Sequence, residues 1–296
     1  MDSITLAGFV TVVLLGGLNL VAVKFSNQGL PPFYGAAVRF LIAAALMFAF
    51  VLIRKIPLPR GRQLLATLIY GALGFAGFYA FGYWALVTLP AGVAGVLAAS
   101  VPLITVLLAS LQKVEILTAR SLIGSVIAIV GIALMVGSPS GGVITLGAVL
   151  AVLAAAACDA EAWIVVKKLP TGDPVSTNAV AMAFGALLLF ALSLVAGETW
   201  SIPTDTVTVA TLAYLVVLGS IVLFVVYLRT VKRWTASGMS YMFVLMPGVA
   251  AIVGSWLLDE PITRGVVMGG LIVLLGVYVG ALSGSRTRGE PAPADR

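Results

Sequence analysis

Apolar residues run through this chain in ten blocks, at roughly 4–25, 32–53, 63–87, 90–111, 118–137, 145–166, 175–196, 206–228, 235–257 and 263–283. A helix needs about 20 mostly apolar residues to cross the hydrocarbon core of a bilayer, and each block has that length. The connections between blocks are short. Only 9% of the residues are charged, against about 25% in a soluble domain, which is too little charge to cover a soluble protein of this size. The expected fold is therefore all-α and integral to the membrane, with ten transmembrane helices. Residues 1–25 carry no basic segment ahead of the apolar run, and that run is too long for a cleavable signal; it reads as the first span. The tail 285–296, polar and holding Pro291 and Pro293, is expected to be disordered and cytoplasmic.

Charge fixes an expected orientation. Fourteen of the 17 Lys and Arg residues fall on one set of loops and the C-terminal tail, two (Lys24 and Arg264) on the other side, and Arg39 lies within a block. Basic loops stay inside, so both termini are expected in the cytoplasm of a bacterial inner membrane. An even number of spans demands the same. The net charge of +6 sits in these short loop clusters and argues against nucleic acid as a partner.

The chain also repeats itself. Pro102 and Pro247 are 145 residues apart, as are Gly74 and Gly219, Ser110 and Ser255, Glu115 and Glu260, Thr118 and Thr263, Gly124 and Gly269, and Gly131 and Gly276. Each copy holds five spans. An odd number turns the second copy over, so repeat one (1–138) and repeat two (139–284) are expected as inverted-topology units. Secondary transporters are commonly built this way, with the substrate site near the midplane between repeats.

Three stretches then carry a family resemblance: "PPFYGAAVRFLIAAALMF", "AGVAGVLAASVPLITVLLASLQKVEILTARSLIGSVIAIVGIALMV" and "GMSYMFVLMPGVAAIVGSWLLDEPITRGVVMGGLIVLLGVYVG". They resemble the EamA family of the drug/metabolite transporter superfamily. The most specific part is a duplicated pattern of helix proline, glutamate 13 residues on, then a glycine-rich helix. The resemblance implies a ten-helix exporter with a central cavity and alternating access. The aromatic residues described next look most like those of the aromatic amino-acid exporter branch.

Phe75, Tyr79 and Tyr83 follow one another at four-residue spacing, so they share a helix face with Phe78 beside them. Tyrosine rings and hydroxyls suit an amphipathic substrate. Trp163, Tyr241 and Phe243 are candidates for the same cavity; belts and helix packing are the other use of such residues. Asn19 is a polar group in mid-span. Asp159 and Glu161 have no charged counterparts in repeat one, which points to an ammonium or proton site, with snorkelling of Glu161 toward Lys167 or Lys168 as the alternative. Arg39 either meets a substrate carboxylate or caps carbonyls of a neighbouring helix. Pro102 and Pro247 are expected in mid-helix as hinges or fixed kinks. Glu115 and Glu260 read as structural; Thr118 and Thr263 can cap the helices after them, and Glu260 has Arg264 four residues on.

The expected function is export of a small metabolite. The cargo is expected to be an amino acid, aromatic or large and apolar, with Tyr79, Tyr83 and Trp163 on its side chain and Asp159 or Asn19 on its amino group. Another metabolite or a drug is the alternative. The chain has no histidine and one cysteine, Cys158, which removes histidine triads and the usual zinc sites. Asp159 and Glu161 point apart on a helix and cannot form a carboxylate dyad, so no enzyme is expected. No metal or cofactor is expected, and the carrier is expected to be a monomer with the lipid bilayer as its surroundings. A phosphate-bearing cargo would call for several intramembrane cations, whereas Arg39 stands alone with Lys24 near an end. No acid lies between Ile4 and Lys24, where a small multidrug exporter would hold one. No ring of like charges suggests a channel.

Overall fold

The computed structural model describes residues 3–113, 118–136, 144–170, 172–223, 225–227, 230 and 242–282. All regular structure among them is helical. The helices are α1 (Ser3–Gly29), α2 (Pro32–Ile53), α3 (Arg62–Ala85), α4 (Ala91–Leu111), α5 (Ala119–Val136), α6 (Leu146–Lys168), α7 (Pro174–Val195), α8 (Thr206–Val216, running on through Val217–Val222), α9 (Met242–Leu258) and α10 (Arg264–Val277, running on through Tyr278–Leu282). Among the described residues, seven helices are long and apolar enough to cross a membrane, and three shorter apolar ones accompany them in α5, α9 and α10. Tyr241, Glu115 and the tail lie outside the described residues, as do the side chains of Phe243 and Lys167.

Local chemistry sets the helix ends. Asp173 accepts from the amides of Val175 (2.9 Å) and Ser176 (3.3 Å) ahead of Pro174, and Asp205 accepts from Thr208 (2.8 Å). Thr145 caps α6 through Ala148 at 3.2 Å, and Thr263 caps α10 through Val266 at 3.3 Å. Thr118 accepts from the Ser121 amide at 3.2 Å in the same way. Such side-chain oxygens satisfy amides that have no partner within the helix.

The loop ends gather at two faces. Gln112 links Glu161, through a 2.5 Å bond, to Lys168, at the end where Gly172 approaches Pro59 and Gln63 and so meets the α2–α3 connection that holds Arg54, Lys55 and Arg60. We call it the basic face. At the other, Glu198 accepts from the amides of Phe33 and Tyr34 at 3.1 and 2.8 Å, tying the start of α2 to the end of α7.

Small residues let the helices approach. Ala36, Ala37, Ala43 and Ala44 of α2 are buried together with Ala179, Ala181 and Ala186 of α7. The other large contact joins α5 to α10. There a Cβ on Gly124 would come within 2.5 Å of the Gly276 carbonyl, and one on Gly131 within 2.7 Å of the Gly269 carbonyl. The pairing is crossed: Gly124 corresponds in sequence to Gly269 and Gly131 to Gly276, yet each meets the other's counterpart. A two-fold axis produces this pattern, as in an isologous interface. The contact of α1 with α9 is likewise matched by that of α4 with α6.

Among the described residues three helices change winding. In α3, Gly71–Gly77 is π-helical, and so are Val217–Val222 in the continuation of α8 and Tyr278–Leu282 at the end of α10. The first two lie at the same place relative to the 145-residue offset. One proline differs from expectation. Pro102 is not in mid-helix: α4 is broken at Ala99 and Ser100, and Pro102 occupies the first turn of its second segment, Val101–Leu111. A missing amide costs nothing there, because the first turn has no acceptor for it. Pro247 lies inside a continuous α9.

Candidate functional site

A π segment leaves backbone carbonyls out of the regular ladder, and in a dry interior these need donors. The π turn of α8 receives them from two side chains. Arg39, 1% exposed, donates from Nη2 to the Gly219 carbonyl (3.1 Å) and from Nε to Ser220 Oγ (3.0 Å). Asn19 Nδ2 donates to the same Gly219 carbonyl at 3.0 Å. Ser220 in turn donates to the Leu215 carbonyl at 2.9 Å. The third Arg39 bond runs from Nη1 to Tyr83 Oη at 3.3 Å. Its guanidinium also lies 5.0 Å from the Phe40 ring centre and 5.2 Å from that of Tyr79, where cation–π attraction offsets part of the cost of burial. The charge thus joins α2, α3 and α8. Asn19 Oδ1 is buried without a partner.

Beside this cluster lies a cavity of about 210 Å³. Gly16, Asn19, Leu20 and Val23 of α1 form one side, and Phe78, Tyr79, Gly82 and Tyr83 of α3, with Leu86 just past its end, another. Gly95, Ala98 and Ala99 of α4 border it at the helix break, and Arg39, Leu223 and Met246 complete the wall. Tyr79 is the centre of the aromatic face. Its ring stacks on Phe75 (6.3 Å, 10° between planes) and meets Phe40 and Phe78 edge-on at 4.5 and 4.8 Å. Tyr83 follows at 6.3 Å. Rings fixed in this way present a rigid apolar wall with a polar edge.

The structure therefore brings Asn19, Arg39, Tyr79 and Tyr83 together. It sets Asp159 and Trp163 apart, toward the basic face. Trp163 is 39% exposed, with its ring 6.4 Å from that of Tyr70. Asp159 precedes it by about one turn of α6. Glu161 points elsewhere, to Gln112. Tyr79 stands between the two places.

Glycines and alanines of the lining carry no chemical label in the sequence. Gly82 is the clearest case, since a Cβ there would meet nothing within 4 Å. A larger apolar groove of about 780 Å³ lies across α3, between Ala76, Ala80, Trp84, Leu150 and Leu188, and no charged side chain lines it. It lacks the polar groups that orient a ligand.

A family model, the EamA-like transporter family, matches residues 3–137 and again 146–281. A probable amino-acid metabolite efflux pump of Salmonella typhimurium (strain LT2) is 28% identical over 279 residues, spanning 90% of this chain and 91% of that protein. The uncharacterized inner membrane transporter YedA of Escherichia coli (strain K12) is 27% identical over 280 residues, with 90% and 89% covered. A crystal structure of a protein 21% identical in sequence superposes with a TM-score of 0.64, covering 95% of this chain and 97% of that one. That likeness concerns the fold.

Proposed function

The chain belongs to the EamA-like transporter family, and we propose that it exports amino acids, aromatic or large and apolar ones preferred, by alternating access through the cavity at Tyr79. The observation that carries this reading is the cavity itself. It sits between α1, α3 and α4, and pairs one rigid aromatic wall with one unpartnered acceptor, Asn19 Oδ1. A substrate ammonium group would donate to Asn19, and an apolar side chain would lie along Tyr79 and Phe78. Arg39 holds the wall and lends a positive potential to the end where a carboxylate would rest. Asp159, with Trp163 and Tyr70, serves as an earlier stop for the ammonium group on the way in from the basic face. The efflux-pump name of the Salmonella relative supports an amino-acid cargo.

The same reading takes the chain as two inverted repeats, 1–138 and 139–284, giving ten spans. The crossed Gly124–Gly276 and Gly131–Gly269 contacts and the paired π segments support it, as does the double family match. Both termini are then cytoplasmic in a bacterial inner membrane, Pro102 and Pro247 flank the moving helices, and a single copy holds the whole site.

Counterflow tests the cargo. Proteoliposomes loaded with unlabelled phenylalanine, tryptophan or threonine should accumulate the same labelled amino acid, the aromatic ones fastest. Absence of uptake for every amino acid, by protein that is folded, would assign the cavity to another metabolite or drug.

A further inference from the structure

Opposite the basic face, three segments distant in sequence are tied by charge. Lys24 Nζ, near the end of α1, lies 2.5 Å from Glu260 Oε1 in the connection between α9 and α10, and donates to the Leu89 carbonyl at 2.8 Å. The other Glu260 oxygen accepts from the Ala91 amide, the first of α4, at 2.7 Å. The two side chains are only 17% and 10% exposed. Asp259 makes this possible. Its φ of 52° turns the chain back at the end of α9, a conformation Asp tolerates better than most residues. Glu260 then folds over Gly254, where a Cβ would come within 2.6 Å of its carboxylate.

The same half of the molecule is closely packed. A Cβ on Gly92 would come within 2.6 Å of Ala251 Cβ, and one on Gly95 within 3.1 Å of Pro247 Cα. Thus α4 and α9 touch from the cavity up to the ion pair. Beyond the break in α4, its second segment packs instead on α6. On the Lys24 side of the cavity, α1, α4 and α9 pack on one another.

We propose that Lys24 and Glu260 form the release gate of the carrier, an ion pair that must part for cargo to leave on the face opposite the basic one. This rests on the transport reading above. Parting separates two charges, each held in a setting drier than water, so it requires water to enter as the helices move. The surroundings are prepared for that. Asn27 Oδ1, one turn on from Lys24, is buried without a partner and gains water on opening. Asn27 Nδ2 donates to the Tyr83 carbonyl at 2.9 Å. The gate is thus one residue away from the cavity wall.

The test is a distance across the gate, which needs no knowledge of the cargo. Spin labels at Thr88→Cys and Ile262→Cys, both exposed, in a Cys158→Ser background in nanodiscs, report the separation of the two connections. The parent should give one short distance. Glu260→Gln leaves Lys24 buried and unpaired, and should add a longer population. Gly254→Ala, which keeps both charges and displaces the Glu260 carboxylate, should do the same. The double change Lys24→Met with Glu260→Gln removes the orphaned charge and should move the distribution back toward the parent. If all three hold the parent's single distance, the gate assignment is wrong even where counterflow is normal. A widened distance in variants of a protein that moves no amino acid would uphold the gate and overturn the amino-acid cargo alone.

Discussion

Arg39 shows how one residue serves both fold and site. Three of its N–H groups are committed to α3 and α8. Arg39→Leu should lower stability by about 1–3 kcal/mol, since it removes three buried hydrogen bonds and leaves the Tyr83 hydroxyl without its donor, while Gly219 keeps Asn19 and Ser220 keeps the Leu215 carbonyl. Arg39→Lys should not restore it, because an ammonium cannot spread over three acceptors as the planar fork does. Thermal unfolding in detergent reads both. Tyr79 should behave differently. Tyr79→Ala removes the ring at the centre of the aromatic wall and should raise the half-saturation concentration for phenylalanine about tenfold, which is about 1.4 kcal/mol of contact, with little effect on threonine. Much of this was legible in the sequence. A charge inside a span demands a partner, so Arg39 stood out. Its partners, a carbonyl and a serine about 180 residues away, did not. Glu260 misled for the same reason. Spacing offered Arg264 four residues on, whereas the structure gives it Lys24 across 236 positions. Local periodicity sees neighbours on one helix and is blind to pairing between helices.

At the level of elements, hydropathy placed most helices to within a few residues, because length and apolarity are what a bilayer demands; the expected start of α9 at 235 lies outside the described residues. It carried no sign of the π turns at Gly71–Gly77 and Val217–Val222, since a π segment and an α segment share the same composition. Nor did it foretell that α4 breaks before Pro102 while α9 continues through Pro247. The α5–α10 contact admits no side chain at its crossing. Gly131→Leu should therefore disrupt the fold, at a cost of about 1–3 kcal/mol or more, while Gly248→Ala, where a Cβ meets nothing within 4 Å, should be neutral. The start of α8 should respond to acid. Amides led by that of Thr208 hold the exposed Asp205 carboxylate below its ordinary value of 3.8. Its cap is complete above that pH and is lost as pH falls through the lowered value, so amide exchange at Thr206–Thr208 should quicken only in strong acid.

On the scale of the whole molecule, the described residues hold a crossed α5–α10 contact, a cavity lined mainly by α1, α3 and α4, and an ion pair at the face opposite the basic one. The glycines of that crossing could be read from the sequence through their 145-residue spacing. The cavity could not, because its shape depends on glycines and alanines that are common throughout the chain. A fluorescent protein fused after Arg296 should fold and fluoresce in cells, as a cytoplasmic C-terminus requires. The central claim, that cargo crosses through the cavity at Tyr79, is tested most directly by filling it. Gly82 borders the cavity and has open space in front of it, so Gly82→Leu occupies the site without forcing neighbours apart. Phenylalanine counterflow should fall to background in this variant while its thermal unfolding matches the parent. Full counterflow in folded Gly82→Leu protein would contradict the account and place the path elsewhere.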